Sequence, residues 1–499
     1  MKSRKHSLWI PGAVLLAGAL LAGAGKQTHA QAPAAPYTFL MTRSVAEQVV
    51  VAWNDELPYI PGEVLVKFRS GTTVAGQGRA LSIMRGPLDA AQTKWVGEVM
   101  LARTTAEPDA EAAAAALRRQ PEVEWAQPNY LRRLHATPND PSFSRQWNFD
   151  LIDMPRAWDI NPGADSNVVV AVIDTGVTTV STSYPFTLWT GNGFDTVAVP
   201  FAVTPDIAAA RISPGRDFVF WTGPVLDLVG HGTHLAGTAL EETNNNLGLS
   251  GIAYRARLLP LKACFGYWEL QILQSSLGTP GYVDPNDGGG CPDVAVAEAI
   301  RFAADNGARV INLSLGGPSP SPITLDALNY AVDRGAFIAI SMGNDYERGN
   351  APQYPAAYAP QINGAVSVGA VGRSERRAYY SGTGAHLELV APGGDFRDGG
   401  LPGVVYQIGL VGPDFDPFTI VRPRFDRYFE SPAQGTSTAA PHVAGVATLL
   451  YSQGITNPAA IEAALKRFAK DVGTPGRDNE YGNGLIDART TLRGLGVAR

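Results

Sequence analysis

Cysteine is almost absent from this chain: Cys264 and Cys291 are the only two among 499 residues. Neither has a second cysteine or a histidine at ligand spacing, which argues against a zinc centre. Two cysteines allow a single intrachain bridge, the expected state if the chain reaches an oxidising compartment. Charge is scarce as well, at 17% Asp, Glu, Lys and Arg with a net charge of −6. No concentrated basic face can be read, so nucleic acid is not an expected partner. Long apolar runs are missing too. The one candidate, IPGAVLLAGALLAGAG, is shorter than a bilayer requires and contains Pro11 and several glycines. Cations precede it and the small-residue site Thr28-His29-Ala30 follows, so residues 1–30 read as a secretory signal peptide and not as a stable membrane anchor. Internal repeats are not recognisable, and the alanines at 112–116 are the sole low-complexity tract.

What is present suits a globular protein with more than one core: 45% hydrophobic residues, and 54 glycines and 37 prolines spread along the chain as punctuation for tight loops. Residues 31–58 read as an N-terminal extension with little structure. From 59 to 135 the pattern is that of a small α+β unit. GEVLVKFRS and WVGEVMLAR alternate like half-buried strands, DAEAAAAALRRQ is a helix with acids first and arginines last, and VEWAQPNYLRRL is a further strand. HATPNDPSFSRQW follows as an exposed linker. Residues 136–499 then form a second unit. Its short apolar runs VVVAVI, RLLPLKA, RVINLSL, AFIAIS, GAVSVGAV and LELVAP alternate with helical stretches at 293–306, 323–334 and 437–452. That alternation predicts an α/β fold with a largely parallel sheet flanked by helices, whose reactive groups gather at the carboxyl ends of the strands.

Three residues of suitable chemistry occupy such ends. VVVAVIDTGV carries Asp174 off a strand, GHGTHLAGTAL opens a helix with His231, and GTSTAAPHVAG sets Ser437 before an apolar helix. Singly, Asp174 is a turn-capping acid, and Ser437 a helix N-cap with Pro441 in a first turn that needs no amide hydrogen. Together, and in this order, the motifs resemble those of the subtilisin-like serine proteases. INLSLGG, ISMGN, YPAAY, VAPGG and YGNGLIDA extend the likeness over roughly 140–490, and the segment from PGEVLVKF to VEWAQPNY is similar to the propeptides of secreted members.

The resemblance implies a serine endopeptidase in which Asp174 orients His231, His231 activates Ser437, and the side-chain amide of Asn344 assists the Ser437 N–H as oxyanion donor. It implies a peptide-binding edge at Ser314, Leu315, Gly316 and Gly317, with Gly343 leaving the approach open and Gln353 near the floor of the specificity pocket. His234 and His442 are expected to be structural. Thr438 stands where the family usually has methionine. Residues 178–215 and 265–292 look like insertions, the second closed by a Cys264–Cys291 bridge. No cofactor is required for such chemistry. Structural calcium is conceivable, but no EF-hand loop is present, and Asp140, Asp227 and Asp395 read better as solvated surface acids. The first unit becomes a propeptide that inhibits until it is cut, with its tail near Leu134 to Thr137 in the cleft and self-cleavage between about 130 and 141. Protein or peptide substrates and the protein's own propeptide are the implied partners, and secretion to the extracellular space or periplasm the implied destination. The alternative is a catalytically silent binding or inhibitory protein on the same fold.

Overall fold

The computed structural model describes residues 42–54, 57–84, 94–104, 109–131, 137–189, 193–220, 223–278, 289–411 and 423–494. The expected signal peptide, residues 132–136 of the expected cleavage stretch and residues 279–288 of the second expected insertion lie outside the described residues. The chain divides into two compact units, Met1–Arg132 and Arg133–Arg499.

In the first unit the order is α1 (Arg43–Asn54), β1 (Tyr59–Phe68), α2 (Val74–Leu81), β2 (Lys94–Val96), β3 (Val99–Arg103), α3 (Ala110–Leu117) and β4 (Val123–Tyr130). The strands form one antiparallel sheet in the order β2-β3-β1-β4. Alternation along β1 buries Val64, Val66 and Phe68 in one cluster with Ala113, Ala114 and Leu117 of α3. Asp109 caps α3 by accepting from the amides of Glu111 and Ala112. Two expectations change. WVGEVMLAR is a hairpin and not one strand, because Gly97 takes φ +60 and reverses the chain between β2 and β3. Residues 43–54, expected to hold little structure, form a helix that packs on β1.

The second unit runs α4 (Trp147–Leu151), α5 (Met154–Trp158), β5 (Val169–Asp174), β6 (Thr182–Trp189), β7 (Phe194–Phe201), β8 (Arg216–Asp217), α6 (His231–Leu240), β9 (Arg257–Lys262), α7 (Tyr267–Leu277), α8 (Asp293–Asp305), β10 (Ala308–Leu313), α9 (Pro322–Asp333), β11 (Phe337–Ser341), β12 (Ala365–Val371), β13 (Leu389–Pro392), β14 (Val405–Leu410), β15 (Tyr428–Ala433), α10 (Thr436–Ser452), α11 (Pro458–Arg467) and α12 (Ala488–Gly494). Seven strands make a parallel sheet in the order β13-β12-β11-β10-β5-β9-β8. The fold is α/β, a parallel sheet flanked by helices, with α8 and α9 packed together and α6 and α10 packed together against the sheet. Strands covered by helices carry apolar residues throughout, and every residue of β11, β12 and β13 is buried.

The strand order positions the site. After β5 the chain passes to the edge strand β8, steps inward to β9 beside β5, then crosses to the far side of β5 with β10, so β5 and β10 flank the point where the winding reverses. Loops leaving their carboxyl ends diverge and open a crevice there. The insertion at 178–215 contains the β6–β7 hairpin, which packs Phe186, Val199 and Phe201 against Leu226, Leu228, Ile272, Leu410 and Phe425 in a satellite core. The second insertion carries α7, and Cys264 and Cys291 are joined in a disulfide across its base. Among the described residues no helix is long and apolar enough to cross a membrane.

Candidate active site

Asp174 is the last residue of β5 and is buried; it accepts from the Thr175 amide at 2.7 Å. Its carboxylate also meets His231 at the first position of α6, with Nδ1 and Oδ1 2.7 Å apart. Gly230, at φ +87, turns the chain into that helix against Leu410, where any side chain would collide. Burial alone would push the His231 pKa down, but the Asp174 carboxylate and, further off, that of Asp227 outweigh it and the net shift is upward. With Nδ1 engaged, the ring, about 39% exposed, has Nε2 left for exchange with a substrate-side group.

Thr175 ties the elements together. Its hydroxyl donates to Asp227 and accepts from the Gly232 amide, while Asp227 collects Val229 N, Gly230 N, and both the amide and hydroxyl of Thr233. The loop before α6 is thus pinned to the end of β5 by hydrogen bonds that are buried apart from the partly buried one at Val229 N.

Ser437 sits differently from its expected place. The N-cap is Gly435 and the helix starts at Thr436, so Ser437 is the second helical residue. Of the seventeen residues of α10 only Ser437 and Ser452 escape burial. Pro441 is inside the helix, four residues on, where its missing N–H leaves the Ser437 carbonyl without an intrahelical donor. Ser314 Oγ donates to that carbonyl at 2.9 Å. The Ser437 hydroxyl donates to the Ser314 carbonyl at 3.4 Å, and no hydrogen bond joins it to His231. A change of one staggered side-chain rotamer redirects the hydroxyl, and catalytic contacts of this kind are often loose without substrate.

Asn344 follows β11. Its Oδ1 accepts from both the amide and hydroxyl of Thr436, at 2.9 and 3.0 Å, and the same hydroxyl accepts from Gly343 N. Nδ2 therefore faces outward, and Asn344 lines a cavity of about 250 Å³ with Tyr380 and Gln434. Beyond β10, Ser314 to Gly316 run along the crevice. Gly317 departs from expectation: its N–H and C=O are both exchanged with Tyr354, so the unpaired edge is Leu315–Gly316. Gln353 is buried beneath this edge, where a Cβ on Gly343 would come within 2.5 Å of its Cγ.

His234 and His442 are buried and burial holds both near pKa 4. His442 bridges Asn148 and the Thr438 carbonyl, a packing role. Thr438, where methionine was the usual residue, donates to the carbonyls of Gly393 and Gly435 at 2.8 Å.

The three candidate calcium acids are not surface groups. Asp140 accepts from Asn244 N, Asn245 N and Ser250 Oγ, Asp227 is occupied as described, and Asp395 accepts from Tyr379 N and Arg397 N. All three are buried, because backbone amides replace their hydration. Among the described residues no group of three or more His, Cys, Asp and Glu side chains is arranged to hold a metal.

The model of the subtilase family matches residues 165–484. The chain belongs to the subtilase family. A second family model, the fervidolysin N-terminal prodomain, matches residues 46–129 of this subtilase. The chain is 31% identical over 434 residues to a thermophilic serine proteinase of Bacillus sp. strain AK1, covering 85% of this chain and 86% of that protein. It is 32% identical over 354 residues to thermitase of Thermoactinomyces vulgaris, covering 70% and 98% respectively. Among solved structures, a protease of Pseudoalteromonas arctica superposes with a TM-score of 0.52 at 29% identity, covering 72% of this chain and 99% of that one. This subtilase is a serine-type endopeptidase with a prodomain, hence made as a precursor, and such chemistry needs no cofactor.

Thr436 and Asp206 escaped the sequence reading. Thr436 lies in plain view in GTS, but its hold on Asn344 depends on a contact 92 residues away. Asp206, at φ +64, is buried with Oδ2 unpartnered, while Oδ1 accepts from Asn245 Nδ2 at 2.5 Å. Burial raises its pKa to about 7.

Proposed function

We propose that this subtilase cleaves peptide bonds through an acyl-enzyme on Ser437, with His231 as base and Asp174 as its orienting carboxylate. The observation that carries the reading is the 2.7 Å contact between a buried carboxylate at a strand end and a partly exposed imidazole at a helix start. A substrate strand pairs along Leu315–Gly316 with its side chain directed toward Gln353. Ser437 Oγ attacks the carbonyl carbon as His231 Nε2 takes its proton. The oxyanion accepts from the Ser437 N–H, which has no acceptor of its own among the described residues, and from Asn344 Nδ2. The imidazolium, stabilised by Asp174, gives the proton to the leaving amine. Water then repeats the cycle on the ester.

The precursor consists of a signal peptide at 1–30, an N-terminal extension at 31–58, an inhibitory propeptide at 59–135 and a catalytic domain at 136–499. Export follows from the leader, and self-cleavage between about 130 and 141 releases the enzyme. Secreted Ser437→Ala protein is expected to accumulate as the uncut precursor; a fully processed product would assign the cut to another protease. A phosphonofluoridate is expected to label the processed parent and not Ser437→Ala. Processed protein that takes no label would instead be the silent binding protein.

A structural calcium ion belongs at Asp206. Its free Oδ2 lies beside Gly248, where a Cβ would come within 3.0 Å, in a turn where Asn244, Asn246 and Gly248 all take positive φ. The unpartnered carboxylate oxygen of Asp206 is the kind of hard donor such a cation prefers.

A further inference from the structure

Lys262 and Glu269 form an ion pair with no side-chain exposure on either partner, Nζ and Oε1 being 2.7 Å apart. Solvation lost by two buried charges makes such a pair weak evidence for stability, so its placement calls for another account. Lys262 closes β9, and in the parallel register it stands directly beside Asp174 on one side and Asp217 on the other. Its ammonium reaches neither carboxylate. It donates to the carbonyl of Thr175 at 2.6 Å, the residue whose amide holds Asp174 Oδ1 and whose hydroxyl joins Asp227 to Gly232. Glu269 comes from α7, inside the insertion that the disulfide closes, and both of its oxygens are used, Oε2 accepting from Gly266 N. The amides of Ala263 and Cys264 both donate to the Asp174 carbonyl, so the same short stretch grips the backbone on both sides of the Asp174–Thr175 peptide bond.

We propose that Lys262 and Glu269 are positioning residues for peptide-bond cleavage. The ammonium fixes the Thr175 carbonyl and thereby the carboxylate of Asp174 under His231, while Glu269 cancels a positive charge that would otherwise compete with the imidazolium for Asp174. The inserted segment is then a strut of the active site and not only a surface excursion. This inference rests on the reading of Asp174 and His231 given above.

The test uses the full chain, processed in trans by the parent enzyme where a variant matures poorly, with a peptide p-nitroanilide as substrate and phosphonofluoridate titration to count competent sites. Lys262→Met/Glu269→Leu removes both charges together and is expected to fold, since apolar replacement of a buried pair is often tolerated. Its kcat is expected to fall about tenfold with KM unchanged, the signature of a misplaced group acting only in the transition state. In Glu269→Gln one of the two accepted hydrogen bonds is lost together with the negative charge that balances Lys262. The groups facing His231 are Asp174, Asp227 and the neutral His234, so the added positive field is expected to move the acid limb of kcat/KM to lower pH. A folded double variant with parental kcat overturns the proposal. If the double variant does not fold, a parental kcat and acid limb in Glu269→Gln overturn it instead. Asp174→Ala is measured alongside: activity surviving there would mean that the triad reading, and not the positioning of Asp174, has failed.

Discussion

At the residue scale the site depends on hydroxyls as much as on its acid and base. Thr436 Oγ1 holds Gly343 N and Asn344 Oδ1 at once, which aims Nδ2 outward. Asn344→Ala removes the proposed oxyanion donor and is expected to cost about 2.7 to 4 kcal/mol of transition-state stabilisation, a range measured for loss of such a donor in a member of this family. Thr436→Val leaves the donor in place but frees its side chain to rotate and leaves Gly343 N unpaired, so kcat is expected to fall by roughly tenfold, about 1.4 kcal/mol, with KM little changed. Steady-state kinetics on one peptide substrate ranks the two. If Thr436→Val proves as damaging as Asn344→Ala, the hydroxyl contributes more than orientation. With His231 as the proposed base, the acid limb of activity is expected to follow its pKa, which lies above the ordinary 6.5, so the neutral base gains population only as pH rises through that higher value.

At the scale of elements, the strand and helix runs of the second unit were legible because their composition is uniform. RVINLSL, AFIAIS and GAVSVGAV read as strands buried on both faces; β11 and β12 lie within their runs, and β10 begins one residue before its own, at Ala308. The three motifs were legible for a related reason: chemistry at the ends of such strands and helices needs fixed local neighbours. What escaped was tertiary. α2 contains two glycines, which dilute its helical signal, and it is started by Thr73 accepting from Gly76 N. Lys262 and Glu269 look like ordinary surface charges in RLLPLKACFGYWEL until β9 and α7 bring them together away from solvent. The start of α10 was displaced from Ser437 to Thr436 because the oxygen of Asn344 takes the first amide. The disulfide belongs to this scale as well. It spans 27 residues of sequence and closes a loop that, by chain entropy, is worth about 3.5 kcal/mol. Cys264→Ser/Cys291→Ser is expected to lower the unfolding free energy by that amount, read as a lower denaturant midpoint, with the slope rising slightly as the unfolded chain expands. An unchanged midpoint would mean that the strut is held by α7 packing and the Lys262–Glu269 pair alone.

At the scale of the whole molecule the buried acids set the response to pH. Asp206 is raised from 3.8 to about 7 by burial, with the nearby charges of Asp140 and Glu242 adding to the rise and Asn245 and Arg211 opposing it. A carboxyl whose folded pKa is raised binds its proton more tightly in the folded state. The folded protein therefore holds more protons than the unfolded chain between about pH 4 and 7, and stability falls as pH rises through that window. The shift corresponds to at most about 4 kcal/mol, fully felt above pH 7. His234 and His442, held near 4, work in the opposite sense, losing stability as pH falls below their unfolded value of 6.5. A cation on Asp206 replaces the proton and removes the penalty at neutral pH. Thermal unfolding of the Ser437→Ala precursor, which cannot digest itself, separates these effects. In chelator the melting temperature is expected to drop from pH 5.5 to pH 8 more for the parent precursor than for Asp206→Asn. Millimolar calcium at pH 8 is expected to restore it only where Asp206 is present. Equal calcium stabilisation of both proteins would move the cation elsewhere. An Asp206→Asn protein that parallels the parent across the whole pH range in chelator would show that this carboxyl is ionised in the fold and already paired.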